Sequence, residues 1–339
     1  MTYAIILAGG VGSRFWPLST QLEPKQFLSF CSDKSLLEES ISRIGNLVGR
    51  KNIYIATNKN YRAKVRDCIR KFRLPAKNFL FEPGTKNTLA PIGVLSHMIF
   101  NRDKDAVIIV LPSDHLIKKK VQFSEILKRS IGVAEAGYIV TLGVVPQRPE
   151  TGYGYIKANS KWQMAGVYKV ERFIEKPNLK TAKKLIKDKR YYWNAGIFIF
   201  KAKTMLEEIK KLQPKVYKIL MQIKDKEDLN RYWSRFPAVS IDYAIMEKTK
   251  KIALLPADCG WLDLGNWNSI EQIFKKDKNG NIFKGKHIDL GSRDITVYAK
   301  EKKVVTLGLN NLVIVDSKDG LLVCSKNKTQ EIKQIVKKI

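Results

Sequence analysis

Residues 4–19 read AIILAGGVGSRFWPLS. An apolar run from Ala4 to Leu7 enters a turn carrying Ala8, Gly9, Gly10 and Gly12. A strand ending in such a turn can present backbone N–H groups to phosphate oxygens, because glycine permits close approach. Two familiar loops are excluded by the residues themselves. The dinucleotide fingerprint needs glycine or alanine three residues after Gly12, where Phe15 stands. The P-loop needs Gly-Lys-Ser/Thr five residues after its first glycine, and neither Gly9 nor Gly10 supplies it. What remains is a strand ending in a glycine-rich loop of another kind, still able to cradle phosphate oxygens. Arg14 adds a guanidinium fork suited to polyphosphate, and Pro17 stiffens the exit. Further on, EPKQFL at 23–28 places Lys25 where it can return toward the loop and neutralise charge on a reacting phosphate.

Working outward, apolar strands are expected at 3–7, 53–56, 79–82, 107–111 and 139–145, with amphipathic helices between them at 36–47, 61–72, 90–101 and 123–136. This alternation predicts an α/β fold, a Rossmann-like mixed, mostly parallel sheet flanked by helices. Ligands of such sheets bind beyond the carboxyl ends of the strands. That directs attention to 8–14, Thr57, 83–88 and 112–115. From about Thr151 strands (167–174, 195–200) mix with Lys-rich helices (179–187, 204–223). From Gly280 short β segments at 295–299, 304–309, 312–315 and 321–324 alternate with Gly, Asn and Asp turns before a helix at 329–338. The expected division is a larger α/β part over 1–275, changing character between 1–145 and 146–275, and a small β-rich unit over 280–339.

The 339 residues are 44% hydrophobic, enough for a packed core. The longest apolar runs, such as AVIIVL at 106–111, are too short to span a bilayer, and the run at 3–8 lacks the flanks of a signal peptide. Cys31, Cys68, Cys259 and Cys324 are scattered, which suits a reducing, cytoplasmic setting without structural zinc. The net charge of +30 admits two readings, a phosphate-rich partner or a lysine-rich background. Nucleic-acid readers cluster their cations and favour arginine. Here 47 lysines against 15 arginines are spread along the chain, which favours background and argues against a specific nucleic-acid partner.

The combination LAGGVGSRFWPLS…PKQF resembles the signature of the sugar-nucleotide pyrophosphorylases and, within them, the mannose-1-phosphate guanylyltransferases. Seven further motifs resemble segments of that family. FEPGTKNTLAP at 81–91 resembles the segment framing the base, with Lys86 where the family has arginine. LPSDH at 111–115 and GWLDLGNW at 260–267 carry Asp114 and Asp263. TGYGYI at 151–156, VERFIEKP at 170–177 and WNAGIFIF at 193–200 resemble the sugar side. IDYAIMEK at 241–248 resembles a further family segment and is read as structural support for the sugar pocket.

The resemblance implies the nucleotide-diphospho-sugar transferase fold with a small left-handed β-helix-like C-terminal unit. It also implies transfer of a guanylyl group from GTP to mannose 1-phosphate, giving GDP-mannose and pyrophosphate. Leu7, Ala8, Gly9, Gly10, Gly12, Ser13, Arg14, Lys25, Asn87, Thr88, Ser113 and Asp114 would bind the nucleotide. Asn87 and Thr88 could pair with a purine edge or cap the next helix. Gly154, Glu175, Lys176 and Asn194 would bind the sugar phosphate, Asn194 as a bidentate partner for hydroxyls. Asp114 and Asp263 would hold Mg²⁺, which takes one or two carboxylates plus substrate phosphates. His115 is read as structural, without evident ligand partners. The sugar phosphate is already an anion, so catalysis reduces to positioning and charge neutralisation by Arg14, Lys25, Asp114 and Asp263. The resemblance further suggests a homodimer, no membrane partner, and no isomerase domain, for which the chain ends too early. Other readings stay open: another base, a manno-configured heptose as sugar, or a basic nucleic-acid-binding protein.

Overall fold

The computed structural model describes residues 1–161 and 166–339. By compactness the chain divides into two units. The first is Met1–Gly9, Glu38–Ser113 and Ile117–Trp261; the second is Gly10–Leu37, Asp114–Leu116 and Leu262–Ile339.

In chain order the first strands are β1 (Thr2–Leu7), β2 (Ile53–Asn58), β3 (Phe79–Glu82), β4 (Val107–Pro112), β5 (His115–Ile117), β6 (Ile139–Val144), β7 (Tyr155–Lys161), β8 (Tyr168–Ile174), β9 (Tyr191–Lys201), β10 (Ile252–Pro256) and β11 (Trp261–Asp263). The first unit is built on a nine-stranded sheet of order β3-β2-β1-β4-β9-β6-β10-β8-β7. Strand β1 is apolar along its length because both of its faces are covered, the mark of a central parallel strand. It pairs in parallel with β2 and β4, which brings Leu7 opposite Ala56 and Pro112. The sheet is mixed, as expected, but its parallel character is confined to β3-β2-β1-β4 and β6-β10. The long strand β9 enters between β4 and β6 antiparallel to both and also pairs with β7. Strand–helix alternation along the sequence could not reveal a return strand that inserts itself between earlier ones. Tyr3, Ile5, Leu95, Ile108, Phe198, Phe200, Met205 and Leu254 lie in the buried core beneath this sheet.

Several helices are shorter than their apolar spacing suggests, and two show why. The stretch 61–72 is α-helical only over Arg62–Cys68, then tightens to a 3-10 turn at Arg70–Phe72. The stretch 204–223 is two helices, Ala202–Leu212 and Pro214–Met221, because Pro214 has no N–H to continue the first and instead opens the second.

The second unit contains β12 (Ile282–Lys284), β13 (His287–Leu290), β14 (Thr296–Ala299), β15 (Val304–Leu307), β16 (Leu312–Ser317) and β17 (Gly320–Ser325). Strands β12, β14 and β16 stack in parallel, with β17 closing antiparallel, while β13 and β15 stack in parallel on their own sheet. Equivalent strands of successive turns lie on one another, which is the coil of a β-helix. The tail ends in a 3-10 segment, Lys326–Glu331, and a short helix, Ile332–Ile335, in place of the longer helix expected at 329–338.

The loop that opened the sequence lies in this second unit. Phe15 is fully buried in one cluster with Phe30, Trp267, Tyr298, Val313, Val315, Leu322 and Ile332. Its ring stands 5.3 Å from Phe30 and 5.1 Å from Trp267. The Trp267 indole N–H donates to the Trp16 carbonyl at 3.0 Å, and Ser317 Oγ donates to the Pro17 carbonyl at 3.0 Å. Phe15, Trp16 and Pro17 therefore anchor the loop on the same core as the tail.

Candidate active site

In the second unit, Gly12 has φ +78°, a conformation that favours glycine, and a Cβ there would collide with the Lys25 Cβ. The close approach is fixed by the backbone, since Lys25 N–H donates to the Val11 carbonyl at 3.0 Å. The Lys25 side chain is buried, 6% exposed, so its charge needs partners. Its Nζ lies 2.6 Å from Asp114 Oδ2, donates to the Leu264 carbonyl, and stands 5.6 Å from the centre of the Phe15 ring. The residue before Leu264 is Asp263, whose Oδ1 is 3.9 Å from His115 Nε2. One ammonium thus ties together the loop, the aspartate after β4 and the strand that carries the second aspartate. Burial pushes the Asp114 carboxyl up, but Lys25 first and then His115 pull it further down, so it stays below its usual range. His115 is buried beside the Asp263 carboxylate. Ser13 and Arg14 form a 3-10 turn with Phe15. Arg14 Nε is buried and has no hydrogen-bond partner among the described residues.

In the first unit, the ends of β1 and β4 are joined. Ser113 N–H donates to the Leu7 carbonyl at 3.0 Å, Ala8 N–H to the Ala56 carbonyl at 2.7 Å, and Thr57 Oγ1 to the Ala8 carbonyl at 2.8 Å. A Cβ on Gly9 would stand 3.2 Å from Glu82 Oε1. Glu82 is buried, and burial pushes its carboxyl up to about 7. Asn87 adopts φ +60°, with its Oδ1 accepting from Thr88 N–H at 2.9 Å. Thr88 does not cap the following helix, Leu89–Arg102, through its side chain. Its Oγ1 accepts from Ile241 N–H at 2.9 Å, while Lys86 Nζ donates to the Ser234 carbonyl at 2.7 Å. The loop before that helix is latched to 234–241, a contact more than a hundred residues distant in sequence.

The four sugar-side residues also converge within the first unit. A Cβ on Gly154 would stand 2.5 Å from Glu175 Oε2 and 3.2 Å from Asn194 Cβ. Asn194 N–H donates to the Gly154 carbonyl at 2.8 Å. Lys176 adopts φ +47° and its Nζ pairs with Glu175 Oε1 at 2.6 Å. Glu175 Oε2 is buried without a hydrogen-bond partner among the described residues. Burial, with the nearby Asp242, pushes the Glu175 carboxyl up to about 7 against the pull of Lys176. Burial works to lower Lys176, but Glu175 and Asp242 outweigh it and raise its value. Asn194 cannot be bidentate toward a substrate. Its Oδ1 already accepts from Thr141 Oγ1 and Gly196 N–H, each at 3.0 Å, and its Nδ2 donates to Asp242 Oδ1 at 3.0 Å. Asp242 and Glu247, whose Oε1 accepts from Glu175 N–H at 2.9 Å, lie in the segment expected to support the sugar pocket, although neither residue was singled out. Their spacing in IDYAIMEK is the only sequence signal. It fits the π-helical turn Asp242–Met246, in which Glu247 N–H bonds back to the Asp242 carbonyl at 3.0 Å.

The family model for nucleotidyl transferases matches residues 3–280, and that of the MannoseP isomerase/GMP-like beta-helix domain matches 285–339. Mannose-1-phosphate guanylyltransferase 2 of Escherichia coli O157:H7 is 36% identical over 349 residues, covering 98% of this chain and 72% of that protein. The chain belongs to the nucleotidyl transferases, among the mannose-1-phosphate guanylyltransferases. The alginate biosynthesis protein AlgA of Pseudomonas syringae pv. tomato is likewise 36% identical, over 98% of this nucleotidyl transferase and 70% of AlgA. Among solved structures, a Thermus thermophilus protein described as a mannose-1-phosphate geranyltransferase superposes with a TM-score of 0.89 at 32% identity. It covers 99% of this nucleotidyl transferase and 98% of its own chain.

Proposed function

We propose that this nucleotidyl transferase joins mannose 1-phosphate to the guanylyl group of GTP, forming GDP-mannose and releasing pyrophosphate. The observation that carries the chemistry is the Lys25 ammonium, buried and held between the Asp114 carboxylate and the Leu264 carbonyl. A fixed cation at a glycine-rich loop suits charge developing on a phosphate during in-line displacement. Lys25 serves the α-phosphate. Arg14, with an uncommitted buried N–H, grips the departing pyrophosphate. Backbone groups of Leu7, Ala8, Gly9, Gly10, Gly12 and Ser13, with Ser113, line the nucleotide. Asn87 offers its side-chain amide to the base, its oxygen being taken by Thr88 N–H, and Thr88 orients that loop through Ile241. Glu175 Oε2 accepts from sugar hydroxyls beside Gly154, Asn194 donates one N–H, and Lys176 meets the sugar phosphate.

Asp114 and Asp263 fit Mg²⁺. Both are hard oxygen donors and partly exposed, at 33% and 24%. Two carboxylates are what that ion takes when substrate phosphates complete its shell. When bound it would neutralise phosphate charge and act as a Lewis acid. The working divisions are the catalytic part over 1–275 and the β-rich unit over 280–339.

The reading further includes a cytoplasmic homodimer without nucleic-acid or membrane partners. Ile288 with Val305, and Leu290 with Leu307, are register partners on β13 and β15 that expose an apolar strip suited to a second copy. Among the described residues no helix is long and apolar enough to cross a membrane. The test incubates the protein with Mg²⁺, each nucleoside triphosphate and a panel of sugar 1-phosphates, and measures pyrophosphate and sugar nucleotide. GDP-mannose is expected from GTP and mannose 1-phosphate; another preferred pair would reassign base or sugar, and no product from any pair would overturn the reading.

A further inference from the structure

Asn194 is held more completely than a sugar contact alone requires. A side-chain amide can sit either way round, and only its neighbours decide which end faces a ligand. Gly196 N–H can only donate, so it requires the oxygen of Asn194 on its side, and Thr141 Oγ1 fills the other lone pair. The Asp242 carboxylate on the opposite side takes one Nδ2 hydrogen at 3.0 Å. One Nδ2 hydrogen then has no partner among the described residues. Asp242 is carried by the π-helical turn Asp242–Met246, and that segment also reaches Glu175. Tyr243 OH is 3.5 Å from the Glu175 carbonyl, and Glu247 accepts from Glu175 N–H. The segment 242–247 therefore braces the Asn194 side chain and the Glu175 backbone, the two residues assigned to the sugar hydroxyls.

We propose that Asp242 is a positioning residue of the sugar site, acting through Asn194: by accepting one amide hydrogen it aims the other at a sugar hydroxyl, without touching the substrate itself. This rests on the sugar-side reading of Asn194 above. Asp242→Leu removes the acceptor at similar size, whereas Asp242→Asn keeps an acceptor oxygen. The assay uses the full chain with whichever sugar 1-phosphate gives the highest rate with the wild type, so that a wrong sugar leaves the test standing. Asp242→Leu is expected to raise the KM for the sugar 1-phosphate about tenfold, with the KM for the nucleotide within about twofold. Asp242→Asn recovers most of that loss. Asn194→Ala combined with Asp242→Leu is no worse than Asn194→Ala alone, because the two act as one. If Asp242→Leu fails to fold, judged by its melting curve, Asp242→Ala takes its place and Asp242→Asn remains as comparison. An unchanged sugar KM in Asp242→Leu overturns the proposal. So do equal rises in both KM values, no recovery in Asp242→Asn, or additive losses in the double variant. Absence of product from the wild type with every pair overturns the functional reading and this inference together; product with any of the former results overturns this inference alone.

Discussion

Replacing Glu82 by glutamine tests whether the buried carboxyl at the end of β3 carries a proton near neutrality. Glu82 is 8% exposed, and burial raises it from 4.5 to about 7. The unfolded chain returns the group to its ordinary value. A raised carboxyl means that the fold binds the proton more tightly than the unfolded chain does. Its contribution is therefore fully present below 4.5 and lost as the pH rises through about 7. At about 1.4 kcal/mol for each pH unit, the loss amounts to about 3 kcal/mol by about pH 8. Glutamine resembles the protonated acid and never ionises. Glu82→Gln should match the wild type near pH 4 and grow relatively more stable until the gap is about 3 kcal/mol near pH 8. With a slope of about 3 kcal/mol per molar, that gap displaces the urea midpoint by about 1 M. Glu175 is also pushed to about 7 and depresses wild-type stability over the same window. The informative quantity is thus the difference between variant and wild type, followed by circular dichroism at closely spaced pH values. A difference that stays flat from about pH 5 to 8, or a variant less stable at the alkaline end, refutes the reasoning.

Lys25→Met keeps the stem against Gly12 and Phe15 but removes the ammonium; turnover at saturating substrates should fall by ~10²–10³. Its melting temperature should drop by only a few degrees, because Asp114 is 33% exposed and water can replace part of the lost partner. Turnover within about threefold of wild type would take Lys25 out of the chemistry. Gly154→Ala drives a methyl against Glu175 Oε2 and should raise the KM for mannose 1-phosphate about tenfold while sparing that for GTP; steady-state kinetics with each substrate varied in turn reads this. Chelation with EDTA should abolish product formation and Mg²⁺ should restore it, with the melting curve unchanged because Lys25 already balances Asp114. Full activity in the chelator would remove the metal from Asp114 and Asp263.

The parallel strands and the strand ends were legible because their signals are local. Runs such as those in β1 and β4 are apolar throughout, and the chain turns sharply after each of them. Gly12 could be read as special from its neighbours alone, and its φ of +78° agrees. The sequence did not announce β9 as an inserted antiparallel strand, because pairing partners are not written in periodicity. It marked IDYAIMEK as support for the sugar pocket but did not single out Asp242. A carboxylate in IDYAIMEK looks like any helix-start acid until the π turn brings it to Asn194, 48 positions away. Asn194 illustrates a further gap. Its residue type suggested two contacts to substrate, yet the fold uses its oxygen internally, and only the count of lone pairs reveals that.

The residues that made the first loop look anomalous have a different explanation from the glycines beside them. Gly12 and Lys25 are constrained by each other, whereas Phe15, Trp16 and Pro17 are constrained by a core contributed largely by residues beyond Leu262. A loop of glycines alone would be too free to hold backbone N–H groups in one arrangement, since glycine loses the most conformational entropy on ordering. Burying Phe15 at the far side of the same turn offsets that entropy with apolar contact, of the order of 2 kcal/mol for such a side chain. The aromatic residues thus give a flexible loop a fixed shape. Their partners Trp267 and Tyr298 lie some 250 residues or more further along the chain, which is why the pattern could be recognised from the sequence but not explained by it.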